Sequence, residues 1–209
     1  MYTLYWAKDS GALAPQILLQ ECAAEYRREI LDLDAGDQRQ PEFLAINPRG
    51  QVPALLLEDG SILTESAAMM LQIADSFAQA GLLPPAASSQ RACVYRWLFF
   101  AVANIYEADL RIYYSDSYSA REDCAGPIRD QARLDMDAAW DLIEDQIGEG
   151  PFLLGGRYSL IDPYLLMLAQ WHEDKSALFA RCPRLQRLCD AVKARPACQA
   201  IWQQHYSDS

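Results

Sequence analysis

The sequence lacks long hydrophobic runs, because no stretch approaches the roughly 18 consecutive apolar residues that indicate a membrane span. Residues 1–9 also lack the basic and apolar segments of a secretory signal peptide, so we expect a cytoplasmic protein without a membrane partner. Basic charge is scarce: 18 lysines and arginines stand against 29 aspartates and glutamates. Nucleic-acid phosphates are bound by clustered basic side chains, and the net charge of −11 therefore predicts no nucleic-acid partner.

Metal-binding patterns are missing as well. The chain has two histidines, His172 and His205, and no two of its cysteines stand in C-x-x-C spacing. Zinc sites combine such ligands at short spacings, so the sequence predicts no metal site. In a protein without a secretory signal, cysteines are expected to be free thiols. The six cysteines are Cys22, Cys93, Cys124, Cys182, Cys189 and Cys198.

Apolar residues make up 51% of the chain, enough for a core, and strands alternate with helices in residues 1–80. Tyr2 to Trp6 is rich in aromatic and β-branched residues and predicts a strand. A helix follows from near Ala12, since Pro15 fits only the first helical turn. A second strand at 28–33 and a short helix or turn at 41–46 come next.

A β-hairpin and a helix complete this part of the chain. Pro53 begins an apolar run, Asp59 and Gly60 form a turn, and the return strand ends at Leu63. Thr64 is a suitable N-cap for the next helix. The order βαβαββα predicts a small sheet layered with helices, whose first two strands run parallel.

The remainder of the chain has helical character. A long aromatic helix is predicted at 90–114 and another at 127–147. Ser159 and Asp162 form a capping box before a further helix. For the helix at 127–147 we predict an apolar face made of Ile128, Ala132, Leu134, Ala138 and Leu142.

A change in composition marks the domain boundary. Residues 81–89 are rich in proline, alanine and serine, which is typical of a linker. We therefore assign residues 1–80 to an α/β domain, 81–89 to the linker and 90–209 to an all-α domain.

Three segments carry a family resemblance. The first is Asn47-Pro-Arg-Gly-Gln-Val-Pro-Ala-Leu55, followed by an Asp-Gly turn and by Leu63-Thr-Glu-Ser-Ala-Ala68. The second is the strand, turn and helix with Ser10 in the turn, and the third is Gly155-Gly-Arg-Tyr-Ser-Leu-Ile-Asp162. With these segments at these separations, the whole chain resembles the cytosolic glutathione transferase superfamily, and residues 44–66 are most similar to its bacterial beta class. The resemblance implies a thioredoxin-like N-terminal domain followed by an all-helical domain.

The resemblance assigns glutathione binding to the first of these segments. If the Val52–Pro53 peptide bond is cis, the backbone N–H and C=O of Val52 are left to pair with the cysteinyl backbone of glutathione at the sheet edge. Gln51 is implied to contact the same backbone. Arg49 either approaches the glycyl carboxylate or lies in a solvated turn.

The start of the next helix is implied to bind the other end of glutathione. Free N–H groups and the helix dipole favour an anion there, and the γ-glutamyl carboxylate is such an anion. Ser66 is implied to add a hydroxyl donor, and Glu65 to accept from the ammonium group or simply to cap the helix.

Ser10 is the candidate catalytic residue. A free thiol near pKa 8.5 is only a few per cent ionised at neutral pH, and lowering its pKa by about two units takes roughly 2.7 kcal/mol. The family places Tyr, Ser or Cys in this turn to stabilise the thiolate, and Ser10 matches in position. The alternative is that Ser10 is only an N-cap. The absence of cysteine in this turn disfavours a glutathione-dependent thiol reductase.

The long aromatic helix is implied to form part of the pocket for the second substrate. Asn104, Tyr106 and Tyr113 are its candidate residues, and Tyr106 is a second candidate donor to the thiolate. Aromatic residues at helical spacing are also typical of a plain core, so both interpretations stay open.

The function implied by the resemblance is conjugation of the glutathione thiolate, as co-substrate, to a hydrophobic electrophile, with detoxification as the role. A homodimer is implied as well. Two alternatives remain open: a glutathione-dependent isomerase, dehalogenase or ether-cleaving enzyme, and a non-catalytic binding or regulatory protein with the same fold.

Overall fold

The computed structural model describes residues 1–206 and divides into two compact units. Met1–Leu83, together with the chain from Lys193 onward, forms the first unit, and Pro84–Val192 forms the second. The first unit is therefore discontinuous in sequence. The boundaries of 1–80, 81–89 and 90–209 given above remain predictions.

The first unit contains a four-stranded sheet with the order β2-β1-β3-β4. Its strands are β1 Tyr2–Trp6, β2 Tyr26–Ile30, β3 Ala54–Leu56 and β4 Ile62–Leu63. β1 and β2 run parallel, with Tyr2 opposite Tyr26, whereas β3 is antiparallel to both β1 and β4. The predicted hairpin and parallel pair are confirmed, although β2 begins two residues earlier than position 28.

Ten α-helices surround this sheet or make up the second unit in the described part of the chain. They are α1 Leu13–Glu21, α2 Pro41–Leu44, α3 Ser66–Ser76, α4 Ser89–Phe100, α5 Glu107–Tyr113, α6 Ala125–Gln146, α7 Ile161–Trp171, α8 Lys175–Arg181, α9 Pro183–Lys193 and α10 Pro196–Tyr206. Ala101–Tyr106 is a π-helical segment that joins α4 to α5. The fold predicted from the sequence, an α/β part followed by a helical part, is confirmed.

The core of the first unit lies against α1, which contacts both α3 and α10. Seven successive residues of α1, from Leu13 to Leu19, are buried. The Arg195 guanidinium, just before α10, forms two hydrogen bonds of 2.6 and 2.8 Å with the Glu21 carboxylate at the end of α1. Helix α10 is therefore fixed to the sheet unit.

The predicted apolar face of α6 is wrong at three of its positions. Leu134 and Leu142 are 64% and 52% exposed, and Ala138 is exposed as well. The buried stripe of α6 consists of Ala132, Met136, Ala139, Trp140 and Ile143. These residues recur at steps of three and four positions, whereas Leu134 lies two positions after Ala132, about 200° around the helix, so the predicted residues are divided between two faces.

Candidate functional site

The loop before β3 is held in shape by Asn47, which is buried. The Asn47 side-chain amide donates to the Gln51 carbonyl at 2.7 Å, and its Oδ1 accepts from the Arg49 N–H at 3.2 Å. The Val52–Pro53 peptide bond is cis. These contacts fix the backbone of the segment to which glutathione binding was assigned.

Val52 lies two residues before β3 and outside the ladder. Within residues 1–206, its N–H and C=O pair with no other backbone group. Pro53 is buried, Val52 is half-buried and Gln51 is exposed. The loop thus presents one residue with a free donor and a free acceptor at the end of the sheet, which is what an added short strand requires.

The first turn of α3 is connected to this loop by an ion pair. Arg49 Nη1 lies 3.0 Å from Glu65 Oε1, and both side chains are exposed. Glu65 precedes the first residue of α3 with φ of 66°, and Ser66 is the first helical residue and is buried. The structure therefore brings the loop and the helix N-terminus together. The Arg49 guanidinium contacts Glu65. The sequence had offered an approach to the glycyl carboxylate or a solvated turn for Arg49, and it did not predict this contact.

Ser10 is buried at the end of the turn between β1 and α1. Its hydroxyl donates to the Ala7 carbonyl at 2.7 Å and accepts from the Ala12 N–H at 3.3 Å. The Leu13 N–H also donates to the Ser10 carbonyl at 3.1 Å. The N-cap of α1 is Ala12, so Ser10 is not the N-cap but a residue that closes the turn before the helix. Its hydroxyl proton must turn away from Ala7 before it can reach a thiolate.

A contact to Asp9 was not foreseen from the sequence. The Tyr206 hydroxyl, at the end of α10, donates to Asp9 Oδ1 at 2.7 Å. Asp9 has a φ of 49°, in the left-handed region that aspartate tolerates better than most residues. Because the two residues are 197 positions apart, no local pattern could have predicted this contact.

A buried polar cluster lies behind this turn, at the junction of β1, α1 and α10. The Trp6 indole N–H lies 2.7 Å from Gln16 Oε1 and 2.9 Å from His205 Nε2. The Gln16 amide donates to Gln204 Oε1 at 2.8 Å. Burial, and to a smaller extent the charge of Arg28, lowers the pKa of His205 to about 4. His205 is therefore neutral at physiological pH.

The candidates on the long helix lie in the second unit. The Asn104 amide, inside the π-helical segment, donates to the Phe100 carbonyl at 3.0 Å. The Tyr106 ring packs against Trp171 with a centroid distance of 5.3 Å, and the Tyr113 hydroxyl donates to the Trp171 carbonyl at 2.9 Å. Trp171 thus contacts two of the three candidate residues, Tyr106 and Tyr113. Wide π-helical turns are frequent at functional sites, and this one was not predicted.

Two further properties concern the described part of the chain only. No helix in it is long and apolar enough to cross a membrane. Within residues 1–206, no three histidine, cysteine or acidic side chains are grouped so that they could hold a metal ion.

Known proteins share the sequence pattern and the fold. Residues 12–76 match the family model of the glutathione S-transferase N-terminal domain. A glutathione transferase from Methylococcus capsulatus strain Bath is 30% identical, with a TM-score of 0.82 and 98% of both chains covered. A Sulfitobacter homologue of glutathione transferase, solved with bound glutathione, is 29% identical, with a TM-score of 0.90 and the same coverage. A maleylacetoacetate isomerase from Pseudomonas aeruginosa is 27% identical over 94% of this chain and 92% of its own.

Proposed function

Since this chain belongs to the glutathione transferase family, we propose that it binds glutathione in its first unit and transfers the thiolate to an electrophilic small molecule. The observation that carries this function is the Arg49–Glu65 ion pair of 3.0 Å. It links the loop that carries the unpaired Val52 backbone to the N-terminus of α3, so that a peptide ligand can be held at its middle residue and at one end.

In this function the cysteinyl and the γ-glutamyl parts of glutathione have separate partners. The cysteinyl backbone pairs with the N–H and C=O of Val52, beside Gln51 and Pro53. The γ-glutamyl carboxylate lies at the N-terminus of α3, where the first-turn N–H groups and the Ser66 hydroxyl donate to it. Glu65 accepts from the ligand's ammonium group. Arg49, paired to Glu65, contributes by holding that carboxylate in place.

Thermal unfolding with glutathione and with S-hexylglutathione tests the binding site. A ligand that binds only the folded protein stabilises it by about 2.7 kcal/mol at 100 times its dissociation constant. We expect an upward shift of the melting temperature with both ligands. Ser66→Ala is expected to reduce the glutathione affinity about tenfold, since it removes a hydrogen bond to a charged group.

Ser76→Ala is the matched control for this measurement. Ser76 is the last residue of α3, is exposed, and contacts only the Gln72 amide of its own helix at 3.1 Å. Its substitution is expected to leave the affinity unchanged. A wild-type protein that is not stabilised by either ligand contradicts the proposed function.

Ser10→Ala is expected to lower turnover about tenfold while the affinity for glutathione stays nearly constant. The hydroxyl acts on the thiolate more than on the bound thiol, so its loss raises the thiol pKa by about one unit, which corresponds to about 1.4 kcal/mol. The measurement is the pH dependence of conjugation with chlorodinitrobenzene, together with the ultraviolet absorbance of the bound thiolate.

Ser88→Ala controls for the structural role of Ser10 before its helix. The Ser88 hydroxyl donates to the Pro85 carbonyl at 2.7 Å and, as the N-cap of α4, accepts from the Arg91 N–H at 3.1 Å. The Ser10 hydroxyl likewise donates to a carbonyl three residues earlier and accepts from a nearby N–H. Loss of either hydroxyl is expected to cost about 1 kcal/mol of stability. If Ser10→Ala and Ser88→Ala have the same turnover, the role of Ser10 is only structural, and Tyr106 becomes the candidate donor.

Glutathione-dependent isomerisation is the second candidate function, because the isomerase from Pseudomonas aeruginosa is as similar to this chain as other relatives are. The same thiolate would add to a conjugated double bond and leave again after rotation. Turnover of maleylacetone without net consumption of glutathione would favour it over conjugation. We propose Asn104, Tyr106 and Tyr113 as second-substrate residues, and a cytoplasmic homodimer as the working form.

A further inference from the structure

Helix α10 is held against α1 by side chains at both of its ends. At the N-terminal end, Arg195 binds Glu21 through two hydrogen bonds. Towards the C-terminal end, His205 and Gln204 contact the buried Trp6 and Gln16 side chains at 2.8 to 2.9 Å. The position of the last turn of α10 relative to the turn before α1 is therefore fixed.

Tyr206 extends from that last turn to the residue next to Ser10. Its ring packs against Trp202 with a centroid distance of 4.5 Å, and its hydroxyl donates to Asp9 Oδ1 at 2.7 Å. Three charged groups of the described residues lie in this region. They are Lys8, in the same turn, Arg28 on β2, whose guanidinium carbon lies 4.9 Å from the Trp6 ring centre, and Lys193, whose Nζ lies 4.6 Å from the Trp202 ring centre.

The direction in which the Asp9 carboxylate points affects the stability of an anion bound at the start of α1. Aspartate is among the preferred N-cap residues, because its carboxylate accepts from free N–H groups of the first turn and interacts well with the helix dipole. Asp9 lies immediately before Ser10, in the turn that leads to the N-cap Ala12. A carboxylate turned towards α1 would repel a thiolate bound at Ser10 and raise the pKa of its thiol.

We propose that Tyr206 is a positioning residue for the thiolate site: its hydroxyl holds the Asp9 carboxylate on the α10 side of the turn and so keeps that negative charge away from the N-terminus of α1. This role rests on the proposed function, because it requires glutathione to be bound at Ser10. Tyr206 itself touches neither the thiol nor the reacting carbon.

Tyr206→Phe removes the hydroxyl and keeps the ring that packs on Trp202. We expect the pKa of enzyme-bound glutathione to rise by about half a unit, with turnover at pH values well below that pKa about threefold lower and KM for glutathione changed little. The readouts are the ultraviolet absorbance of the thiolate and the pH profile of kcat with chlorodinitrobenzene. A purely structural role would lower the melting temperature without shifting either profile.

Adding Asp9→Asn to Tyr206→Phe tests the cause of that shift. The amide carries no charge, so the double variant is expected to regain the wild-type thiol pKa. Tyr26→Phe is the matched control, because the Tyr26 hydroxyl accepts from the Gln16 amide at 3.2 Å and belongs to the same cluster. Its pH profile is expected to equal that of the wild type.

The outcomes separate this role from the proposed function. If Tyr206→Phe is active and its thiol pKa equals that of the wild type, the positioning role is wrong and the proposed function stands. If the double variant keeps the shifted pKa, the effect does not pass through Asp9 and the role is equally wrong. If the wild type binds no glutathione, the proposed function fails and the positioning role fails with it.

Discussion

Asp162→Ala is expected to lower the free energy of unfolding by about 4 kcal/mol, since it leaves several buried donors without an acceptor. Asp162 is fully buried in the first turn of α7. Its carboxylate accepts from the Leu153 N–H at 2.8 Å, from the Ser159 N–H at 2.7 Å and from the Ser159 hydroxyl at 3.2 Å. Both partner residues are buried as well, so water cannot easily replace the lost acceptor.

Urea unfolding followed by circular dichroism measures this loss. Asp174→Ala is the control, because Asp174 accepts from the Ala177 N–H at 2.9 Å at the start of α8 but is exposed. There water replaces the carboxylate, and we expect a loss of about 1 kcal/mol. Equal losses for the two variants would show that burial of Asp162 adds nothing.

The stability of the protein is expected to fall by about 3 kcal/mol between pH 6.5 and pH 4 because of His205 alone. Burial, with a smaller effect of Arg28, lowers the pKa of His205 from 6.5 to about 4. In this range the unfolded chain binds a proton that the folded chain does not, so acid favours unfolding. The contribution is complete above pH 6.5 and is lost as the pH falls towards 4.

Comparison of His205→Gln with the wild type isolates this effect from the titration of the carboxylates. We expect the free energy of unfolding of the variant to depend less on pH between 4 and 6.5. Gln204→Ala is the control: it removes the 2.8 Å bond to Gln16 without removing a titratable group. It should lower stability by the same amount at every pH. If the free energies of unfolding of the wild type and of His205→Gln depend on pH in parallel, His205 is not the cause of the pH dependence.

The parts of the fold that could be predicted are those determined by neighbouring residues. The Asp59-Gly60 turn gave the hairpin. Of the capping box at Ser159 and Asp162, one half forms: the Asp162 carboxylate accepts from the Ser159 N–H, whereas the Asp162 N–H donates to the Ser159 carbonyl and the N-cap of α7 is Leu160. The exposed stripe on α6 shows where prediction from neighbouring residues fails. Leu134 and Trp140 are both compatible with an apolar helix face, and only contacts with other helices decide which of them is buried.

In the candidate site, too, the features set by neighbouring residues could be predicted and those set by distant contacts could not. The segment from Asn47 to Val52 could be recognised because its residues act together over a few positions. The ion pair between Arg49 and Glu65 and the contact between Asp9 and Tyr206 could not, since they join segments 16 and 197 positions apart. Such contacts follow from packing, which a single sequence does not reveal.

The discontinuous first unit has a consequence for synthesis on the ribosome. Helix α10 is translated only after the whole of Pro84–Val192. Trp6 and Gln16 therefore cannot form their hydrogen bonds with side chains of α10 until the helical unit has been made. The nascent sheet must therefore hide the exposed flank of α1 by other means, such as a chaperone. For the same reason, a chimaera that exchanges the sheet unit between relatives needs two grafts, one covering Met1–Leu83 and one beginning at Lys193.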